Sequence, residues 1–170
     1  GGSGIAGNKP YVLYDSTSGK AVVYADAGGS GQTVYYCVAT PSYSTTNPTM
    51  SWGTRANVKG SDNNNIKAER KVGYHDTVQN RIVFMCPDEN SNRLPTILSG
   101  TLSGTTITWG ARTQLNTSSG GVYMITSAYD STNGVGLIQV RDENSNNGDN
   151  FVSAITVNSS NVITTTNLLL

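Results

Sequence analysis

The sequence predicts an all-β protein made of three four-stranded antiparallel repeats, arranged like the blades of a β-propeller. Ser, Thr, Asn and Gly dominate the chain and only 13% of its residues are charged, a composition that favours short strands and turns over helix. Apolar and polar residues alternate with a period of 2, as on a sheet with one buried face. A degenerate motif recurs at intervals of roughly 57 residues, which indicates a repeat architecture.

Each repeat begins with a tyrosine, a polar turn and an apolar strand. Tyr14, Tyr74 and Tyr129 lie 60 and then 55 residues apart. The second and third repeats also share the loop string Asp-Glu-Asn-Ser-Asn, at 88–92 and 142–146. We therefore expect one domain of residues 9–170 with repeats at about 9–65, 66–121 and 122–170. Residues 1–8 are interpreted as a linker or tag-like segment, and the absence of an initial Met suggests a piece of a larger protein.

Strand and turn signals divide the second repeat into four elements. The strands are predicted at 66–74, 81–86, 96–102 and 106–112, and the hairpin signal Ser103-Gly104-Thr105 joins the last two. Four strands in a repeat of this size are typical of a propeller blade, but propellers need four to eight blades to close. The alternative is a β-trefoil or another threefold β fold, although the Gln-x-Trp signature of trefoils is absent.

Aligning the repeats, on their tyrosines in the first half and on the residues 50–53 and 107–110 in the second, assigns roles to His75 and to the two tryptophans. His75, the single histidine, falls at the position of Asp15 and Asp130, which indicates a turn residue and not a catalytic base. Trp52 and Trp109 fall at equivalent positions before a glycine, and we expect both in the core.

Composition also limits the partners and cofactors. The chain has 11 basic and 11 acidic residues, so no basic surface for nucleic acid is expected. No apolar run reaches transmembrane length, and we expect no membrane insertion. Cys37 and Cys86 are either buried free thiols or a disulfide between neighbouring repeats. Together with the one histidine they do not make a zinc site.

The sequence of the repeats resembles that of a known class of proteins. Gly100-Thr101-Leu102-Ser103-Gly104-Thr105-Thr106-Ile107-Thr108-Trp109-Gly110, supported by 14–17 and 129–132, is similar to repeats in propeller regions of bacteriophage virion and tail-fibre proteins. The resemblance covers most of the chain and rests on structural motifs. It implies a β-propeller-like virion component, located on the virion or outside the cell, that associates with itself or with other virion proteins.

The sequence offers no catalytic constellation, so no catalytic residues are predicted. Asp88, Glu89, Asp142 and Glu143 lie in equivalent loops, whereas an acid and base pair needs two different environments. Solvated turns are the first interpretation of these loops and calcium is the alternative. In both loops, oxygen-bearing side chains occupy alternate positions, as calcium ligands do. They are Asp88, Asn90 and Asn92 in the first loop and Asp142, Asn144 and Asn146 in the second. The second loop is the better candidate for calcium.

A binding surface is the remaining expectation. Tyr43 in a loop and the Asp and Asn side chains above are candidate ligand contacts, since sugars are bound by aromatic stacking and by hydrogen bonds to hydroxyl groups. Long loops between second and third strands should share one face with the connectors 57–65 and 116–121. We therefore expect a non-enzymatic, adhesin-like virion module that binds a host surface glycan. The alternatives are a pure scaffold or capsid-decoration protein, and a propeller-type glycosidase. Three blades also leave open edges, which predicts a homo-oligomer.

Overall fold

A computed structural model describes residues 8–26, 33–44, 46–68, 70–115, 122–142 and 150–169. The described residues form three antiparallel sheets and no α-helix. Sheet 1 contains β1 (Asn8–Asp15), β2 (Lys20–Asp26), β3 (Val34–Ser42), β4 (Thr49–Trp52) and β5 (Ala56–Asn57). Sheet 2 contains β6 (Val72–Asp76), β7 (Arg81–Asp88), β8 (Leu94–Ser103), β9 (Thr106–Trp109) and β10 (Thr113–Gln114). Sheet 3 contains β11 (Val122–Asp130), β12 (Val135–Asp142), β13 (Asn150–Val157) and β14 (Ile163–Leu169).

Each sheet is built mainly by strands that pair with their neighbours in the chain. The orders are β1-β2-β3-β4, then β6-β7-β8 with β9 beside β8, then β11-β12-β13-β14, while the short β5 and β10 pair with β3 and β8. The all-β, antiparallel part of the prediction is confirmed. The described strands form no closed barrel or closed ring of sheets, so the threefold propeller stays a prediction.

The boundaries of two strands differ from the prediction. The first strand of sheet 2 begins at Val72 and not at Ile66, because Ile66 hydrogen-bonds to Val58 and Val34 instead of continuing along β7. The strand predicted at 106–112 ends at Trp109. The chain then leaves the edge of the sheet and returns as β10, which pairs with Thr96 and Ile97.

The polar turns between the first two strands are held by aspartate side chains. Asp15 accepts hydrogen bonds from the amides of residues 17 and 18, Asp76 from those of 78 and 79, and Asp130 from those of 132 and 133. Each carboxylate thereby replaces a backbone acceptor in its turn. Asp76, and not His75, is therefore the counterpart of Asp15 and Asp130, and the tyrosine alignment was wrong by one residue. His75 stands where Tyr14 and Tyr129 stand.

Sheet 2 lies between the other two sheets and is covered on both faces. We call its face toward sheet 1 the back face (Ile82, Phe84, Cys86 and Leu98) and its face toward sheet 3 the front face (Val83, Met85 and Ile97). The back face joins one core cluster with Val22, Tyr24, Tyr36 and Val38 of sheet 1. The front face joins a second with Ile138, Val140, Phe151 and Ile155 of sheet 3. Two core layers thus hold three sheets together.

The equivalent tryptophans have opposite environments. Trp109 is 8% exposed and its ring lies edge-on to Tyr36 and Phe84, so its core assignment is confirmed. Trp52 is 55% exposed, and its core assignment is wrong. The back face that carries Trp109 is covered by sheet 1, whereas the corresponding face of sheet 1, which carries Trp52, is not covered by any described sheet.

Both cysteines are buried free thiols, so the disulfide alternative is wrong. Cys86 lies in the core between sheets 1 and 2, whereas Cys37 lies outside that core and donates to the Gly53 carbonyl. Burial raises the pKa of both thiols, and that of Cys86 well above its ordinary value. In the described part of the chain, no helix is long and apolar enough to cross a membrane.

Candidate functional site

The strand order separates the predicted ligand residues into two groups. The turns that follow β1, β6 and β11 lie at one end of the sheets, which we call the turn end, and the loop between β3 and β4 reaches the same end. Residues 89–93 connect β7 to β8 at the opposite end, which we call the loop end. Tyr43, 81% exposed, therefore lies at the turn end, away from Asp88, Asn90 and Asn92.

Asp88 is a buried structural carboxylate at the loop end. It caps the short 3-10 helix Glu89–Ser91 by accepting from the Asn90 amide at 3.1 Å. The Lys67 amide and the Arg112 guanidinium, at 3.2 Å, also donate to it. Its oxygens are thus occupied by protein donors in this structure.

The exposed asparagines of this loop are placed by backbone geometry. Asn92 has a φ of 51° and ends the 3-10 turn in the left-handed region, which asparagine tolerates better than most residues. The side-chain amide of Asn90 donates to the backbone carbonyl of Asn65 at 2.9 Å. The β7–β8 loop and the connector between sheets 1 and 2 therefore share the loop end, as the sequence predicted for these two segments.

Arg112 lines a cleft at the loop end. Its guanidinium bridges the buried Asp88 and the partly exposed Asp62, and the Gly110 carbonyl accepts from the Ser61 amide. The cleft has a volume of about 430 Å³ and is lined by Ser61, Asp62, Ser91, Ala111, Arg112 and Gln114. Hydroxyl, amide and charged groups thus surround an opening with a single alanine as its apolar element.

The hydrogen bonds and charges around Asp62 favour its ionised form. Burial by itself would raise the pKa of Asp62, but hydrogen bonds from Asn64 and the Arg112 guanidinium more than offset it. The pKa of Asp62 therefore lies below its ordinary value. Asp62 remains an ionised hydrogen-bond acceptor at neutral pH, with its charge balanced by Arg112.

The second predicted calcium loop lies largely outside the described residues. Asn144 and Asn146 fall in 143–149, and for Asp142 the structure describes only the backbone pairing with Val122. Among the residues that are described, no group of three or more His, Cys, Asp or Glu side chains could hold a metal. Calcium at Asp142, Asn144 and Asn146 stays a prediction.

His75 joins two sheets at the turn end. The Ser16 amide donates to its Nδ1 at 3.2 Å, so the proton of the neutral ring is on Nε2. Nε2 lies 3.1 Å from both the Asp15 carboxylate and the Asn80 side-chain oxygen. The ring is buried, with its nitrogens occupied, which is the arrangement of a structural clamp.

The sequence analysis did not identify the ion pairs that join separate segments at the loop end. Lys71 and Asp26 form a fully buried ion pair at 2.6 Å between the connector and β2. Arg112 was not singled out either. Lys71 and Asp26 are 45 positions apart and Arg112 and Asp88 are 24, and no local pattern in the sequence marks such pairs.

The described residues form a stack of antiparallel sheets with a polar cleft at the loop end, in which Arg112 bridges two aspartates. Comparison of the chain with protein-family models, curated proteins and solved structures found no match.

Proposed function

We propose that this chain is a non-enzymatic structural and surface-binding module of the virion or fibre type, which binds a hydroxyl-rich host glycan in the cleft at its loop end. The observation that carries the proposal is the Arg112-bridged cleft, whose walls are built from polar groups already held in place. Preorganised donors and acceptors on a rigid scaffold lower the entropy lost on binding.

The lining of the cleft matches the chemistry of sugar hydroxyl groups. Ser61 and Ser91 offer groups that both donate and accept, Gln114 offers an amide, and Asp62 offers acceptors. Such convergent polar groups orient a ligand and provide specificity. Asn90 and Asn65 lie beside the Ser91 wall and extend the polar surface.

The same carboxylates are poor candidates for catalysis. A glycosidase needs a general acid whose pKa is raised toward neutrality. The pKa of Asp62 is lowered instead, and Asp88 is engaged by Arg112 and two backbone amides. These features support binding and positioning over proton transfer.

The stacking of the sheets supports a propeller-like arrangement for the module. Strand β6 contacts both β1 and β11, so the first strands of the three sheets are neighbours. Sheets 1 and 3 cover the two faces of sheet 2, as adjacent blades of a propeller do. A virion or extracellular location accords with the resemblance of the repeats to phage proteins.

A glycan array followed by titration of the best glycan tests the proposal. Ser91→Ala with Gln114→Ala should reduce affinity roughly 10-fold or more, because unpaired polar groups of the sugar would remain. Gln79→Ala, at the turn end, is the matched control and should bind normally. If the protein binds no glycan on the array, or if the double variant binds with unchanged affinity, glycan binding in this cleft is contradicted. Turnover of chromogenic glycosides would contradict the non-enzymatic assignment.

A further inference from the structure

The pairing register makes positions in the three sheets equivalent. Ala21 pairs with Ala39, which pairs with Trp52. In sheet 2 the equivalent row is Ile82, Gly100 and Trp109. In sheet 3 it is Gly136, Ile155 and Thr165. Residues of sheet 1 that fall in such rows therefore have counterparts in sheets 2 and 3.

By this register, the terms back face and front face extend from sheet 2 to sheets 1 and 3. The back faces of sheets 2 and 3 are buried against the preceding sheet. The counterparts of Ile82, Phe84, Cys86 and Leu98 are Ala21, Val23, Ala25 and Cys37, and the face also includes Val12, Tyr14, Ala39, Met50 and Trp52. Val12, Tyr14, Met50 and Trp52 are each about half exposed or more, at 57%, 51%, 48% and 55%. The smaller residues Ala25, Cys37 and Ala39 are buried, so the exposed part of the face consists of the four larger side chains. Large apolar side chains exposed together on one face indicate an interaction site.

A polar contact recurs at both internal junctions and identifies the partner. His75 reaches back to Asp15 of the preceding sheet at 3.1 Å, and its counterpart Tyr129 donates to Asp76 at 2.7 Å. In this series Tyr14 is the member of sheet 1 and Asp130 is the acceptor of sheet 3. Among the described residues, Tyr14 is 51% exposed and Asp130 accepts hydrogen bonds only from its own turn. One copy of the chain thus carries both halves of a third junction.

The front face of sheet 3 fits the same scheme. The counterparts of Tyr74, Val83, Met85 and Ile97 are Ala128, Leu137, Gln139 and Val152. Leu137 is 41% exposed, and the exposed Gln139 is the one polar member of these four. Gly136 abuts the Tyr74 ring between sheets 2 and 3, so the corresponding pair at a third junction is Ala21 against Ala128. One difference is that Lys20 and Arg81, which bind carbonyls of the next sheet, are replaced by Val135.

We propose that two copies of this chain associate head to tail, the front face of sheet 3 of each covering the back face of sheet 1 of the other, to close a ring of six sheets. The interface would bury Trp52 and Tyr14 and set the Tyr14 hydroxyl against Asp130 of the second copy. A heterologous contact that closes on itself gives a finite assembly and leaves no exposed apolar face. The proposal does not depend on the glycan cleft, which lies at the loop end.

Charge substitution in the two faces tests the proposal by sedimentation velocity. The wild type should have twice the mass of the 17.9 kDa chain. Ala21→Glu and Ala128→Lys should each weaken association roughly 30-fold or more, because each leaves an unpaired charge in the interface. An equimolar mixture of the two variants should restore the dimer, since one junction is then unmodified and the other pairs Glu with Lys. Ser103→Glu, on an exposed hairpin of sheet 2, is the control and should leave the mass unchanged.

A second pair of variants preserves the surface shape. Tyr14→Phe and Asp130→Asn should each weaken the dimer, and the double variant should be no weaker than the worse single one, because both remove the same contact. Circular dichroism and thermal unfolding of each variant at low concentration establish that it folds. A wild-type monomer at all concentrations, an open polymer, or an assembly broken by Ala21→Glu but not by Ala128→Lys would each overturn the proposal.

Discussion

Replacing Trp109 with alanine should remove a large part of the stability of the domain. The indole is 8% exposed, and its ring centre lies 6.1 Å from that of Tyr36 and 6.2 Å from that of Phe84. Its Nε1 is buried with no partner among the described residues, so the loss comes from packing and not from a hydrogen bond. Large aromatic residues bury about 150–250 Å², and substitution by Ala in a core costs about 3–5 kcal/mol.

Trp52→Ala is the matched control, because Trp52 occupies the equivalent position in sheet 1. It pairs with Ala39 as Trp109 pairs with Gly100, but it is 55% exposed. In the monomer we expect a loss of about 1 kcal/mol or less. Urea unfolding followed by circular dichroism, at a concentration low enough to exclude association, measures both losses. Equal losses for the two variants would refute the reasoning that the covering sheet sets their difference.

Three further predictions concern turns, pH and thiols. Asp76→Ala should cost about 2 kcal/mol or more in urea unfolding, since the buried carboxylate accepts from two turn amides and from Tyr129. Asp130→Ala removes an exposed carboxylate that accepts only within its own turn and should cost clearly less. Equal costs would contradict this difference. Hydrogen bonds lower the pKa of Asp130, so its contribution to stability is present above the unfolded pKa and is lost as pH falls through the lower folded pKa. Thermal unfolding at descending pH should show a smaller acid loss for Asp130→Asn than for the wild type. Cys37 and Cys86 should react with a disulfide reagent at neutral pH only on unfolding, because burial raises the pKa of both thiols; a fast reaction of both in the native protein would contradict their placement.

Features set by local sequence were the ones that could be predicted. The β content, the turns after the first strands and the Ser103–Thr105 hairpin follow from neighbouring residues. The second and third strands of sheet 2 fall close to the predicted ranges. The one-residue error at His75 was avoidable. An aspartate stands four positions before a residue with positive φ in all three turns, namely Gly19, Asn80 and Gly134, and that spacing is visible in the sequence.

Features set by the order of the sheets could not be read from local sequence. Trp52 and Trp109 share a motif, yet their exposure depends on whether another sheet covers them. At the loop end, Arg112, Asp62 and Asp88 come from three separate segments. The buried Lys71–Asp26 pair joins the connector that carries Asp62 to β2. Such pairs form only after the sheets have stacked, so neither spacing nor composition identifies them beforehand.

The coverage of sheet 2 on both faces has a consequence for hydrogen exchange and folding. No described sheet covers the outer faces of sheets 1 and 3, whereas residues 82–85 of β7 are buried and pair with both β6 and β8. The amides of these β7 residues should exchange only by global unfolding, whereas the outermost strands β4 and β14 open locally at lower free energy. Consecutive hairpins favour rapid formation of each sheet by itself, since their contacts are close in the chain. The middle sheet gains its stability last, when both neighbours have docked, and the slowest-exchanging amides therefore report the docking of the sheets and not the pairing of their strands.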